Sequence, residues 1–144
     1  MKHRIYLDNC CFNRPYDDQS NLLVYLEAEA KLFIQQSILK NIFELAWSYV
    51  LDYENSANPY QNRKLAITKW KGVSVIDVEP SDSILNCGSE IMRKGIKNKD
   101  ALHIACAIEA KCEFFLTTDK KLLRTEFDNI KVISPIDFIK TLEK

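Results

Sequence analysis

The chain has 144 residues, 47% of them hydrophobic, and carries 20 basic against 20 acidic side chains. That length fits one domain, residues 1–144, and that apolar content can bury a core without staples. A neutral total excludes a global field that would hold the protein on nucleic acid or an anionic membrane, so any phosphate binding has to be local.

From the N-terminus, "MKHRIYLDN" offers only three apolar residues before Asp8, too few for a signal-peptide core. No segment approaches the apolar length of a membrane span. The first strand is predicted over Arg4 to Leu7. Ser20 to Lys40 repeats apolar residues at helical spacing, Leu22, Leu23, Leu26, Ala30, Phe33, Ile34 and Ile38, with Ser20 as the expected N-cap. A second strand follows at Phe43 to Ser48. Helix is expected from Val50 to Trp70, broken at Pro59 and capped by Gly72, then strand at Ser74 to Val78. Ser81 to Lys94 reads as a third helix closed by Gly95. "DALHIACAIEAKC", Asp100 to Cys112, is alanine-rich and apolar on nearly all sides, so it should lie buried against a sheet. Strands at Glu113 to Thr117 and Lys131 to Ile133 complete the pattern, with a short helix at "KKLL" after Asp119 and a last one from Ser134 with Pro135 at its first position. Short, continuously apolar strands alternating with helices predict an α/β fold around a parallel five-stranded sheet.

Two strands end alike, "IYLD" at Asp8 and "FFLTTD" at Asp119. In a parallel sheet both acids fall at the carboxyl edge, where open α/β sheets bind ligands. Asp100, opening the alanine-rich helix, and Glu54, just beyond the second strand, belong near the same edge. Each has an ordinary explanation: Asp100 and Asp119 as helix caps, Asp8 as a turn former beside Asn9, Glu54 as a surface residue whose place Glu44 or Asp52 could take. Independent caps, however, have no reason to share one edge. Three or four clustered carboxylates repel unless a cation neutralises them, and an all-oxygen site selects Mg²⁺ or Mn²⁺. Asn9, Thr117 and Thr118 could add neutral oxygens or hold waters. Such an ion orients and deprotonates water for attack on a phosphodiester.

"IYLDNCCFNRP", "SYVLDYE" and "KDALHIACAIEAKCEFFLTTDKKLL" resemble the PIN-domain proteins, metal-dependent ribonucleases that include VapC-like toxins of toxin–antitoxin pairs. The resemblance runs from Arg4 to about Leu142 and is most specific in the last segment. It implies a PIN-like three-layer sandwich, with a central, mainly parallel sheet flanked by helices. It also implies Mg²⁺ or Mn²⁺ held by Asp8, Glu54, Asp100 and Asp119, hydrolysis of RNA, an antitoxin over the acidic edge and a homodimer. Asn55 to Glu79 carries little of the family's signature.

Other constellations weigh less. Arg14, Lys97, Lys99, Lys120, Lys121 and Arg124 flank the acids and could form a local basic rim for RNA phosphates; a solvated face is the plainer reading. His103, three residues after Asp100, shares its helical face but is expected as a packed or hydrogen-bonded core histidine, and His3 is expected at the far end of the sheet. Cys10, Cys11, Cys87, Cys106 and Cys112 are an odd count without a CxxC pair, which points to a reducing cytoplasm; Cys10 and Cys11 lack a local base and read as packing residues. The three glycines form neither a GxGxxG turn nor a P-loop. The sequence therefore predicts a Mg²⁺- or Mn²⁺-dependent cytoplasmic endoribonuclease; the alternative is a catalytically silent PIN fold that binds RNA or a protein.

Overall fold

The computed structural model describes residues 2–143. Five strands, β1 (His3–Leu7), β2 (Phe43–Ser48), β3 (Ile76–Val78), β4 (Phe114–Leu116) and β5 (Lys131–Ile133), form one sheet in the order β3-β2-β1-β4-β5, and all four pairings are parallel. β1 sits at the centre because it is buried on both faces: Ile5, Tyr6 and Leu7 are fully inaccessible. The chain leaves β1 towards β2 and β3, then crosses back to β4 on the other side of β1. The strand order reverses between β1 and β4, and at that switch point the carboxyl ends open a crevice.

Helices cover both faces. The long α2 (Leu22–Leu39) packs with α8 (Pro135–Leu142) on one side, where Phe138 meets Phe43 and Phe114 edge-on at 5.3 and 5.0 Å between ring centres. On the other side α5 (Asp82–Met92) pairs with α6 (Asn98–Glu109), the alanine-rich helix, whose Ala101, Ile104, Ala105 and Ala107 are buried as expected. Gly88 of α5 permits that approach, since a Cβ there would stand 3.2 Å from Leu102. The chain breaks between α3 (Tyr49–Ser56) and α4 (Gln61–Lys71) around Pro59, and Asn55 ties the two by donating to Lys64 O and Thr68 Oγ1. After Asp119 the short α7 (Lys120–Arg124) forms at "KKLL".

Several local expectations need correction. Asn21, not Ser20, caps α2, accepting from Val24 N at 3.1 Å. α6 begins at Asn98 after Lys97, so Asp100 lies inside the first turn and makes no side-chain cap. Gly72 ends α4 with ordinary helical angles, whereas Gly95 adopts φ 88°, a conformation that favours glycine. "NCCFN" is a five-residue helix, α1 (Asn9–Asn13), that runs into a 3₁₀ turn at Arg14–Tyr16. His3 is the first residue of β1 rather than preceding it, and it does stand at the amino end of the sheet.

Candidate active site

Asp8 follows β1 directly. Its N–H donates to Leu116 O at 2.9 Å, extending the β1–β4 ladder by one residue, and its extended backbone then turns into α1. Both carboxylate oxygens are held: Oδ1 accepts from Asn9 N at 2.8 Å and Oδ2 from Thr117 Oγ1 at 2.8 Å. Only 6% of the residue is exposed. Thr117 is fully buried, so its hydroxyl aims the Asp8 carboxylate instead of presenting an oxygen to the crevice.

Glu54 projects from the second turn of α3, a helix capped where Ser48 Oγ accepts from Leu51 N at 3.3 Å. The neighbouring acids are spoken for: Asp52 accepts from Trp47 Nε1 at 2.9 Å and Lys71 Nζ at 3.1 Å, and Glu44 pairs with Arg4 at the opposite edge. Glu54 Oε1 instead meets Nε2 of His103, which α6 delivers fully buried into the core. The imidazole's Nδ1 lies 2.5 Å from Tyr6 OH, which in turn lies 2.6 Å from Ser48 Oγ. One assignment satisfies every atom: Ser48 donates to Tyr6, Tyr6 to His103 Nδ1, and Nε2–H to the Glu54 carboxylate. Burial holds the Tyr6 phenol well above its usual range, which keeps it a donor. His103 is thus the hydrogen-bonded core histidine its sequence position predicts. That it orients Glu54 was not legible; the only sequence signal is its place three residues after Asp100 on the same face.

Asp100 and Asp119 complete the crevice. Asp119 caps α7, with Oδ1 accepting from Lys121 N and Leu122 N at 2.9 and 3.1 Å; the cap uses that oxygen alone. Asp100 makes no hydrogen bond or ion pair among the described residues. Burial first, and then the neighbouring Asp8 and Asp119 carboxylates, push its carboxyl above the ordinary range. All four acids line one cavity of about 360 Å³ together with Asn9, Cys10, Arg14 and Thr118. Within it, ligand atoms of Asp8, Glu54 and His103 lie within 4.8 Å of one another.

The flanking residues divide. Arg14 is committed: it bonds Asp17 Oδ2 at 3.1 Å and Thr118 Oγ1 at 2.7 Å, and pairs with the buried Glu27 at 3.2 Å, clamping the turn after α1 to α2 and to the loop after β4. Thr118 is therefore occupied by Arg14. Lys121 Nζ is bound to Gly95 O at 2.5 Å. Lys99 stands 4.0 Å from Glu54 Oε2 at the rim, whereas Lys120 is exposed and makes no ion pair among the described residues. Cys10 touches Asp8 and Thr118 through sulfur at 3.5 and 3.2 Å. Its hydrogen bond to Cys11, with burial, raises the Cys11 thiol well above its usual range, as suits a packing residue.

The donor set suits a hard divalent cation. Four carboxylates line one cavity, and of these Asp8 and Glu54 bring ligand atoms within 4.8 Å of one another; none of Asp8, Asp100 and Asp119 has a cationic partner among the described residues, and burial, then the Asp8 and Asp119 carboxylates, push the Asp100 carboxyl up. The one imidazole within reach already spends Nε2 on Glu54.

A parallel α/β sandwich with a carboxylate-lined cavity at its switch point is the architecture of a PIN domain. Residues 5–128 match the PIN domain family, and the chain belongs to it. No curated protein matches the chain. Among solved structures it is similar to VapBC2 from Rickettsia felis bound to a DNA fragment from their promoter. That alignment covers 90% of this chain and 96% of the other at 16% identity and a TM-score of 0.56, a likeness of fold. No helix among the described residues is long and apolar enough to cross a membrane.

Proposed function

We propose that the chain is a Mg²⁺- or Mn²⁺-dependent endoribonuclease, with Asp8, Asp100 and Asp119 as the principal metal ligands and Glu54 completing the site. The observation that carries this reading is the convergence of four acids on one cavity, three without a counter-ion among the described residues. A module that only bound RNA would gain nothing by gathering negative charge where phosphate has to come. When bound, the cation offsets that charge and supplies Lewis acidity at the phosphodiester.

The chain's own contribution is orientation. Thr117 and the Asn9 amide fix both Asp8 oxygens, and His103 fixes Glu54 Oε1, leaving Oε2 to face the water that attacks phosphorus in line. A carboxylate held at Oε1 can accept that water's proton at Oε2. The 3′-hydroxyl leaves, and the other fragment keeps a 5′-phosphate. Lys99 beside Glu54, and Lys120 and Lys121 around Asp119, supply local positive charge for the flanking phosphates that the neutral chain lacks overall.

The likeness to VapBC2 supports a further step: the chain acts as the toxin of a toxin–antitoxin pair. A cytoplasmic site, an antitoxin over the acidic edge and association of two copies extend that reading from the family resemblance alone. The direct test is cleavage of an end-labelled mixed RNA pool by metal-stripped protein, with and without Mn²⁺, beside Asp8→Asn. Metal-dependent cuts in the wild type that Asp8→Asn lacks are expected. Equal cutting by the two proteins contradicts the assignment.

A further inference from the structure

A second polar cavity, of about 360 Å³, adjoins the acidic one and shares Asn9 and Glu54 with it. Its outer wall is the turn between α3 and α4, in the stretch "ENSANPYQNR", where the sequence carries little family signature. Asn9 Oδ1 is buried without a hydrogen-bond partner among the described residues, an acceptor in want of a donor. Beside it two more amides are set edge to edge: Asn58 Nδ2 donates to Asn13 Oδ1 at 3.3 Å, and Asn13 Nδ2 to Asn9 O at 3.1 Å. Asn58 Oδ1 accepts from Tyr60 N at 3.0 Å, which sets the amide plane. Each of these two amide nitrogens keeps a second N–H unused. Across the opening Arg63 stacks its guanidinium 4.0 Å above the Tyr60 ring and donates to Tyr16 O at 3.3 Å, so it is held in place as a fixed cation. Tyr60 is 56% exposed.

In-plane donors, an unmatched acceptor, an aromatic plate and an anchored arginine together fit a nucleotide of single-stranded RNA. The amides read the base edge, the ring offers stacking and the guanidinium meets a phosphate. The volume lies within the ~300–1,000 Å³ range of small-ligand sites. Because Glu54 and Asn9 border both cavities, a strand with one phosphate at the acids would place a neighbouring nucleotide here. Asp17 also lines the cavity, its carboxylate paired with Arg14 at 3.1 Å. We infer that the cavity lined by Asn9, Asn13, Asn58, Tyr60 and Arg63 is the base-reading subsite for the nucleotide next to the cleaved bond. The inference rests on the ribonuclease reading for its register, but its binding chemistry can be measured without cleavage.

The test is fluorescence anisotropy of end-labelled rA6, rC6, rG6 and rU6 on Asp8→Asn protein, in which cutting is not expected. One hexamer should bind at least about fivefold more tightly than the others, and adding Asn13→Ala or Asn58→Ala should compress the four to within about twofold. Tyr60→Ala should weaken all four by about tenfold through lost stacking. Tyr60 is exposed, so this variant still reports if an amide variant fails to fold. Four hexamers bound equally, no binding, or a preference that survives both asparagine variants overturns the subsite. Failure of the nuclease reading shows separately, as wild-type protein that cuts nothing with Mn²⁺.

Discussion

The two ends of the sheet treat charge in opposite ways. At the amino end two acids beside the strands have partners inside the molecule: Glu44 pairs with Arg4 Nε at 3.1 Å, and Glu113 with His3 Nδ1 at 2.9 Å. Arg4 also caps the end of α6 by donating to Ala110 O at 2.7 Å. At the carboxyl end Asp8, Asp100 and Asp119 meet no cation among the described residues, and burial, then the Asp8 and Asp119 carboxylates, push Asp100 towards protonation. Charge at one edge is paired within the fold; at the other it stands without a counter-ion among the described residues. Stability and function are thus separated along the same strands, since β1 carries Arg4 at one end and leads into Asp8 at the other.

The sharpest way to break that contrast is to neutralise one acid at each edge. Asp8→Asn should lower RNA cleavage by ~10²–10³-fold, on the scale seen when a central stabilising group is removed, with circular dichroism unchanged. Glu44→Gln should leave cleavage within about twofold. Equal losses in single-turnover assays would show that the carboxyl edge has no special role.

A smaller effect is expected one step back from the acids. His103→Ala removes the group that aims Glu54 and should lower cleavage by ~10–100-fold, the usual cost of losing an outer support of a ligand. Tyr6→Phe leaves the imidazole in place and should cost less in rate, with ~1 kcal/mol of stability lost with its hydrogen bonds. Unchanged rates for both in a metal titration of cleavage would reduce the Ser48–Tyr6–His103 chain to packing.

Asp100→Asn sharpens the comparison through stability. A carboxyl raised in the folded state binds a proton there that the unfolded chain has already lost, so stability falls as pH rises from the ordinary carboxylate range through the raised value. Without metal, Asp100→Asn should therefore melt above wild type at pH 7, and the difference should vanish when the acid is protonated in both states. With Mn²⁺ present the order should reverse. Differential scanning calorimetry at pH 3.5 and 7, with and without Mn²⁺, checks both signs.

An effect that leaves cleavage untouched lies away from both edges. Lys31 is buried over the Phe12 ring, 5.4 Å from its centre, and burial lowers its ammonium from the usual 10.5 to about 8. The unfolded chain holds the extra proton between those values, so wild-type stability should rise with pH across that window. Lys31→Met should stabilise the protein by ~1–3 kcal/mol at pH 7, and the gain should shrink as pH climbs towards 10.5. A gain independent of pH in urea melts would point to packing instead of charge.

How much of this the sequence displays depends on the distance between partners. The strands and the alanine-rich helix are legible because their signals are local runs and periodicities, and the acidic edge follows from strand ends alone. α1 escaped because five residues are too few to show a helical period, even though Cys11 and Phe12 are buried by it. Glu54, Glu44 and Asp52 are equivalent in sequence; only Trp47 and Lys71, which claim Asp52, and Arg4, which claims Glu44, leave Glu54 for the crevice. The commitment of Arg14 to Glu27 and Thr118, and of His103 to Tyr6, joins residues from distant parts of the chain. Such contacts exist only once the sheet has brought β1, β2 and β4 side by side.

The most direct test of the central claim, that the carboxyl edge is built for a divalent cation, is thermal melting against Mn²⁺ concentration for wild type, Asp8→Asn and Glu44→Gln. At 100 times Kd a single site stabilises by ~2.7 kcal/mol. For a chain of this size that is roughly 5–10 °C. Wild type and Glu44→Gln should both rise by that amount while Asp8→Asn stays flat. No shift in wild type, or a shift that Asp8→Asn retains in full, would contradict the account.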